Sequence, residues 1–340
     1  MAGIIRFNEL TQQLVVYATD RANRPMQKEE SRTPKTDDLP VRDVRCPFCP
    51  GNEGQIPEIL YETSDKNGEW RTRAVLNKYP ALTYEKQIED YKTGIYTSVT
   101  ACGRNEVIIE SPIHNIDITQ MPQEHVEQII ETYVKRYKFI YENYKEIQNI
   151  IIFRNHGADS GTSLVHPHSQ IAGIAFTPKY ITDKETAAKN HYEKQNHCLI
   201  CDMVEYETQE NERMVYQNKA FYCFVPFAAE VPFEIWIAPK AHEGEFLNLG
   251  DKDQIELADA LKTSLTRLTI RINDPDYNYV IYSGSRGEKT RGHLHWYLRI
   301  RPRTEKTAGF EIGTGVHINP NLPESDAKIL RGEASILPDR

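Results

Sequence analysis

Two histidines separated by a proline, His166 and His168 in "HPHSQ", are the side chains whose type and spacing best suit catalysis. The apolar run "IAGIAF" follows them, and this pattern predicts a strand that begins near the second histidine. Side chains two residues apart on a strand point to the same face, so both imidazoles reach one site. One imidazole can bind a metal while the other attacks an electrophile, binds a metal as well or is a satisfied core residue.

The loop before this strand, "HGADSGTS", has the composition of a phosphate-binding loop. Its glycines let the backbone approach a ligand closely, and the hydroxyls of Thr162 and Ser163 can donate to phosphate oxygens. Gln170 shares a strand face with His168 and adds a neutral donor. These residues favour attack by His168 on a phosphorus atom.

Two CxxC pairs supply the other groups with recognisable chemistry, because each pair offers two thiolates at a spacing that zinc sites use. A tetrahedral zinc site needs two further ligands, and each half of the chain contains histidines for them. A redox pair, or cysteines kept as remnants of the fold, are the alternatives. The two predicted sets are Cys46, Cys49 and His114 with His166 or His168, and Cys198, Cys201 and His242 with His293 or His295.

The elements that must position these residues occur twice along the chain. Apolar residues recur at three- and four-residue steps over residues 122–146 and again over residues 251–270, which predicts two amphipathic helices. A strand, a loop and a strand with a His-x-His motif follow each helix. A histidine also precedes each helix. The spacing from this histidine to the first histidine of the motif is 52 residues in the first half, from His114 to His166, and 51 in the second, from His242 to His293. We interpret this agreement as an internal duplication.

This pattern predicts an α+β fold with a mixed, mostly antiparallel sheet and one long helix in each half. A chain of 340 residues is long enough for two domains. The polar stretch 177–197 is the natural boundary, so we predict an N-terminal catalytic half over residues 1–180 and a second half over residues 181–340.

The net charge excludes some partners. At −8, the chain lacks the basic surface that nucleic-acid binding requires, although a local basic cluster could still hold a small anion. The sequence contains neither a signal-peptide pattern nor an apolar run long enough to span a membrane. We therefore expect a soluble, cytoplasmic protein without a membrane or nucleic-acid partner.

The blocks around these residues resemble the galactose-1-phosphate uridylyltransferase branch of the histidine-triad superfamily. The resemblance covers essentially the whole chain and implies a duplicated histidine-triad-like fold, a homodimer and a role in galactose metabolism. Besides "NHGADSGTS" and "HPHSQ", the matching blocks are "DRANRP", "CPFCPGNE", "LNKYPAL", "EVIIESPIHN", "IAPKAH" and "AGFEIGTGVHINPNLPESDAKILR".

The resemblance also implies roles for individual residues. His168 would take UMP from UDP-glucose, and galactose 1-phosphate would then accept it in a ping-pong reaction. For the second zinc it favours His295, whereas the repeat spacing alone favours His293. The implied zinc ligands are Cys46, Cys49, His114 and His166 for one ion, and Cys198, Cys201, His242 and His295 for the other. The implied substrate-binding residues are Arg21 and Arg24 near the nucleotide, Asn77 in its pocket, Ser163 and Gln170 at the α-phosphate, and Asn155 and Glu311 on the hexose side.

Four positions depart from the best-known members of that family. Those members carry cysteine and asparagine in place of Thr162 and Leu164, glycine in place of Ser169, and glutamine in place of His317. Such replacements resemble ADP-glucose phosphorylases, in which phosphate is the acceptor and adenosine can replace uridine. Uridylyl transfer, adenylyl transfer to phosphate and a non-enzymatic two-zinc binding module are the three hypotheses.

Overall fold

The structure is a computed structural model that describes residues 4–17, 38–84, 90–287 and 292–335. Within these ranges the chain forms an antiparallel sheet of ten strands, five from each half. From one edge to the middle, the first half contributes β3 (Ile59–Ser64), β4 (Trp70–Leu76), β7 (Gly103–Ile109), β9 (His168–Ile174) and β8 (Asn149–His156). From the middle to the other edge, the second half contributes β13 (Tyr277–Tyr282), β14 (Tyr297–Pro302), β12 (Ile235–Pro239), β11 (Phe221–Phe224) and β10 (Met214–Gln217).

The two halves meet where β8 pairs with β13, with Phe153 opposite Val280. Outward from this junction, the strands follow the same order on both sides, so that β9 corresponds to β14 and β7 to β12. The predicted α+β class and the duplication are confirmed. The repeat in the sequence therefore corresponds to a pseudo-twofold relation within one continuous sheet.

Two long helices, α1 (Gln123–Asn143) and α4 (Asp251–Ile272), cover one face of this sheet and pack against each other. Both agree with the predicted helices, because apolar residues at three- and four-residue spacing form one stripe on a helix. Val126, Ile130 and Ile140 of α1 are fully buried in the main core. Burial of each such side chain stabilises the fold by about 2 kcal/mol.

The opposite face is covered differently in the two halves. In the second half, helices α2 (Lys179–Gln195) and α3 (Leu199–Glu210) pack over Trp236 and Tyr297. The polar stretch that we assigned to the boundary is thus largely helical. In the first half, the segment around Phe48 packs over Ile109, which is paired with His168. The face of β9 that carries His168 is therefore not covered by any helix of the described ranges.

Smaller elements complete the described chain. None of its helices combines the length and the apolar character that a membrane crossing requires. A three-stranded sheet contains β1 (Ile4–Phe7), β2 (Leu14–Tyr17) and β15 (His317–Asn319), and a separate hairpin contains β5 (Asp90–Thr93) and β6 (Tyr96–Val99). The remaining helices are α5 (Gly309–Thr314) and α6 (Pro323–Arg331).

A buried ion cluster lies beneath β9, on the side of α1. Arg154 of β8 donates from Nε to Glu110 at 2.9 Å and from an Nη atom to Asp117 at 2.7 Å. All three side chains are almost completely buried. Burial alone would raise the pKa of Asp117, but the charge of the Arg154 guanidinium outweighs burial and lowers that pKa to about 2.

We expect Asp117→Asn to destabilise the protein by about 2 kcal/mol at pH 7, because a carboxyl group with a depressed folded-state pKa stabilises the fold when ionised. This contribution is complete above about pH 4 and is lost as the pH falls toward the folded-state pKa. Thermal unfolding of wild type and variant from pH 7 to pH 3 measures the difference. Asp183→Asn, which removes an exposed i,i+4 pair with Lys179, is the control and should have almost no effect. A wild-type advantage that does not shrink at low pH would contradict the assignment.

Candidate active site and metal clusters

The first candidate metal cluster joins the cysteines of "CPFC" to His114, in the loop after β7, and to His166, just before β9. The Nδ1 atoms of His114 and His166 are 3.3 Å apart, and they lie 3.5 and 3.6 Å from Cys49 Sγ. All four ligand atoms, including Cys46 Sγ, lie within 4.8 Å of one another, and all four residues are buried. Two thiols and two imidazoles at this spacing fit tetrahedral zinc.

The second cluster has the same composition and lies in the second half. Cys201 Sγ is 3.4 Å from Nδ1 of His242 and 3.4 Å from Nδ1 of His295. Cys198 Sγ lies 3.9 Å from Nδ1 of His295. These four ligand atoms also lie within 4.8 Å of one another, so this cluster could hold a second ion.

Backbone carbonyls orient one histidine of each cluster. Nε2 of His166 donates to the Ser111 carbonyl at 2.8 Å, and Nε2 of His295 donates to the Pro239 carbonyl at 3.2 Å. With the proton on Nε2, the Nδ1 lone pair points to the other ligands, as metal binding requires. Burial lowers the pKa of His166 to about 4, which keeps the imidazole neutral.

These carbonyl contacts also decide which histidines correspond. Ser111 stands three residues before its cluster histidine, His114, and Pro239 stands three residues before His242. His295 therefore corresponds to His166. The repeat spacing alone selected His293, and the structure places that residue outside the cluster. The place of His168 in the second half is taken by Tyr297, the first residue of β14.

His168 begins β9, and only 7% of its surface is exposed. Its Nδ1 lies 2.8 Å from the carbonyl oxygen of His166. A carbonyl can only accept, so Nδ1 carries the proton and Nε2 keeps its lone pair. Burial lowers the pKa of His168, which favours the neutral ring. Phe48 packs edge-on against this imidazole, with ring centroids 5.5 Å apart.

Neutral amides lie near His168 on the same face. Gln170 follows two residues later on β9, and its Oε1 accepts a hydrogen bond from Asn77 Nδ2 at 3.5 Å. Asn155 shares this face from β8, because Phe153, two residues earlier, pairs with Gln170. Asn278 Nδ2 donates to Asn155 Oδ1 at 2.7 Å and holds it in place. The structure thus brings His168, Gln170, Asn77 and Asn155 together.

The glycines of the loop are required by its backbone. Gly157 and Gly161 have φ values of 82° and 85°, which other residues rarely adopt. A Cβ atom on Gly157 would lie 1.9 Å from the Asp276 carboxylate, so only glycine fits. Asp276 in turn accepts a hydrogen bond from the backbone N–H of Asp159 at 2.6 Å. The loop is therefore fixed from the adjoining half.

Family models for the N-terminal and C-terminal domains of galactose-1-phosphate uridyl transferase match residues 3–178 and 180–329. The chain belongs to this family. An ADP-glucose phosphorylase from Arabidopsis thaliana is 33% identical over 96% of this chain and 92% of its own length. A galactose-1-phosphate uridylyltransferase from Thermotoga maritima is 29% identical and covers 96% of this chain and 97% of its own.

Solved structures of the galactose-1-phosphate uridyl transferase family share this fold. A crystal structure of an Arabidopsis thaliana ADP-glucose phosphorylase with bound ADP-glucose has a TM-score of 0.82 at 30% identity, covering 98% of this chain and 100% of that one. A uridylyltransferase structure has a TM-score of 0.72 at 27% identity, covering 96% and 97%. The chain is accordingly an enzyme of the nucleotidyltransferase class.

Several predicted site residues lie elsewhere or have other partners. Thr162 donates its hydroxyl to the Leu164 carbonyl at 2.9 Å, so this proton is used within the loop, while Ser163 is exposed. Glu311 accepts a hydrogen bond from the Ala308 N–H at 3.1 Å, as a cap of α5, and its described contacts do not reach His168. Two arginines that were predicted to lie near the nucleotide, Arg21 and Arg24, fall outside the described residues.

Two of the four departures from the family pattern, Ser169 and His317, lie away from His168. Ser169 is buried on the α1 face of β9, away from His168, because alternate residues of a strand face opposite sides. His317 lies 3.3 Å from Glu230 in the second half. Neither side chain therefore lines the His168 site of its own chain. Sequence reasoning also missed Phe48, for which an aromatic residue inside the CxxC loop was the available signal.

We expect His295→Ala to lower the bound zinc from about two equivalents per chain to about one, because the second cluster loses a ligand. His293→Ala is the matched control, since it removes the same side chain two positions away and should retain both equivalents. Mass spectrometry of metals in dialysed protein gives the counts. If His293→Ala lost an equivalent and His295→Ala did not, the assignment of the cluster would be wrong.

Proposed function

We propose that this enzyme transfers a nucleotidyl group from a nucleotide sugar by way of a covalent bond to His168. The observation that carries this proposal is the hydrogen bond from His168 Nδ1 to the His166 carbonyl. It leaves Nε2 unprotonated and ready to attack phosphorus without a general base. The absence of a carboxylate partner for His168 among its described hydrogen bonds is consistent with this chemistry.

The reaction has two displacements at the same phosphorus atom. In the first, Nε2 of His168 forms a bond to the α-phosphorus, and the bond from that phosphorus to the bridging oxygen breaks, releasing sugar 1-phosphate. The carbonyl of His166 stabilises the positive charge that the imidazole gains, through the Nδ1 proton. In the second, an oxygen of the acceptor attacks the α-phosphorus, and the bond to Nε2 breaks. His168 is then neutral again, so the kinetics are ping-pong.

Negative charge on the non-bridging oxygens needs donors beside His168. The Gln170 side chain accepts through Oε1 from Asn77, so its NH₂ group is available to donate to a phosphoryl oxygen. The glycine-containing loop adds backbone N–H groups and the exposed Ser163 hydroxyl. Such fixed donors stabilise charge that develops in the transition state more than they stabilise the ground state.

The metal clusters fit a structural role in this mechanism. Zinc bound by Cys46, Cys49, His114 and His166 would anchor the start of β9 and so the position of His168. Four protein ligands leave no open coordination position, which is typical of structural zinc and not of catalytic zinc. The chemistry at phosphorus is therefore assigned to His168 and its neighbours.

We propose ADP-glucose as the first donor to examine and phosphate as its acceptor. The 33% identity and TM-score of 0.82 to proteins called ADP-glucose phosphorylase support this choice. Transfer of UMP from UDP-glucose to galactose 1-phosphate is the second candidate. The near full-length match to a Thermotoga maritima galactose-1-phosphate uridylyltransferase supports it.

We also propose a homodimer, as the resemblance implied. Glu311 belongs to α5, which leads into β15. His317 of β15 lies 3.3 Å from Glu230, and Glu230 forms an ion pair with Arg299 of β14. Two strands separate β14 from β9, so if Glu311 contacts the hexose as the resemblance implies, that carboxylate reaches this His168 site from outside its own chain. A second copy of the chain could supply it. The roles of Arg21 and Arg24 and the cytoplasmic location stay predictions.

We expect α-³²P-labelled donor to leave acid-labile label on the wild-type protein and none on His168→Gly, whose kcat/KM should fall more than about a thousandfold. Tyr297→Phe is the control, because it alters the corresponding position of the second half and should retain the label. Labelling is measured on denatured protein after a rapid quench. Equal amounts of label on the wild type and on His168→Gly would contradict the assignment of His168 as the nucleophile.

We expect a matrix of two donors and two acceptors to identify the substrates. ADP-glucose or UDP-glucose is combined with phosphate or galactose 1-phosphate, and the nucleotide products are separated by chromatography. Release of ADP and glucose 1-phosphate from ADP-glucose and phosphate would support the first candidate. Formation of UDP-galactose from UDP-glucose and galactose 1-phosphate would support the second candidate. Absence of turnover in all four combinations would contradict both candidates.

A further inference from the structure

Ser169 lies between the proposed nucleophile and the amide of Gln170, yet it faces the other side of the sheet. It is 1% exposed and is paired with Arg154 of β8 and Ile108 of β7. Its hydroxyl lies 2.8 Å from the Tyr133 hydroxyl, which projects from α1. The residue directly after His168 is thus bound to a helix on the far side of the sheet.

Tyr133 connects this hydroxyl to a buried carboxylate. Its phenol oxygen lies 3.2 Å from Glu110 Oε1 and 2.6 Å from the Tyr279 hydroxyl. The single phenol proton of Tyr133 is directed at two acceptors, Ser169 Oγ and Glu110 Oε1, and Tyr279 can donate its own proton to the phenol oxygen. Tyr133 therefore bridges Ser169 and Glu110.

Glu110 is itself bound to the other neighbour of His168. Its backbone N–H donates to the carbonyl of Pro167 at 3.0 Å. Its carboxylate is held by Arg154 Nε at 2.9 Å, and Arg154 is held in turn by Asp117. Glu110 thus binds the residue before His168 directly and the residue after it through Tyr133.

We propose that Tyr133 is a positioning residue for His168, acting through Ser169 and Glu110. This inference rests on the proposed function of His168. The hydrogen bond from His168 Nδ1 to the His166 carbonyl sets the rotation of the imidazole ring. The link through Tyr133 sets the position of the β9 backbone from which the His168 side chain projects. A displacement of the reacting atom by about 1 Å can lower a rate by about a hundredfold, so both constraints matter.

The side-chain link distinguishes this chain from the glycine-containing members that it resembles. A glycine at position 169 has no hydroxyl, and the connection from Tyr133 to β9 could not form. The replacement noted in the sequence thus acts on the position of the nucleophile and not by contact with substrate. Tyr133 and Tyr279 are both fully buried, which makes them a matched pair for an experiment.

The test compares Tyr133→Phe, Ser169→Ala and Tyr279→Phe. The first two break the link, whereas the third removes a hydroxyl that contacts Tyr133 but lies outside the path from Glu110 to Ser169. We expect Tyr133→Phe and Ser169→Ala each to slow nucleotidylation of His168 about tenfold, with the donor Kd unchanged. Tyr279→Phe should label at the wild-type rate, although its melting temperature falls as much as that of Tyr133→Phe.

The double variant Tyr133→Phe, Ser169→Ala adds a second criterion. If the two hydroxyls form one link, this variant should be no slower than either single variant. Rates come from rapid-quench labelling with the α-³²P donor, and melting temperature and zinc content are measured on the same samples. Rate losses that follow melting temperature in all variants, or that multiply in the double variant, would overturn the positioning role alone. An unlabelled wild type would overturn the covalent mechanism and the positioning role with it.

Discussion

The register of β9 between β7 and β8 is the constraint on which the site depends. It places His168 opposite Ile109 on one face and Ser169 opposite Ile108 on the other. A slip of one residue would exchange the two faces along the whole strand, burying His168 under α1. The candidate metal cluster before the strand and the polar link beneath it both hold this register, and the reactivity that we propose for His168 depends on them.

The grouping of the cysteines and histidines was predictable because few residue types bind metals. Two CxxC pairs with distant histidines point to metal clusters whatever the fold, and apolar spacing was sufficient to place α1 and α4. The face of His168 and Gln170 followed from strand alternation. These inferences needed only the local periodicity of the sequence and the preference of metal ions for thiolate and imidazole ligands.

Other features could not be read from the chain because they depend on pairing between distant segments. The motif His293-Leu294-His295 looks like a copy of His166-Pro167-His168, but β14 begins two residues after His295, as β9 does after His166. The copy is therefore shifted by two residues, and the carbonyl partners at Ser111 and Pro239 reveal the shift. Glu311 was expected beside the hexose from a motif, but its described hydrogen bond is to the Ala308 N–H at the start of α5, and a motif does not show how distant segments are arranged.

The continuous pairing of β8 with β13 has a consequence for the origin of the molecule. A half-length ancestor with the fold of the first half would carry β8 as an unprotected edge strand, open to other chains. Two such chains could satisfy that edge in each other, because an antiparallel pair has a twofold axis across it. Gene fusion would then have turned a symmetric dimer into a single chain, and freed one of two equivalent histidine positions to become Tyr297.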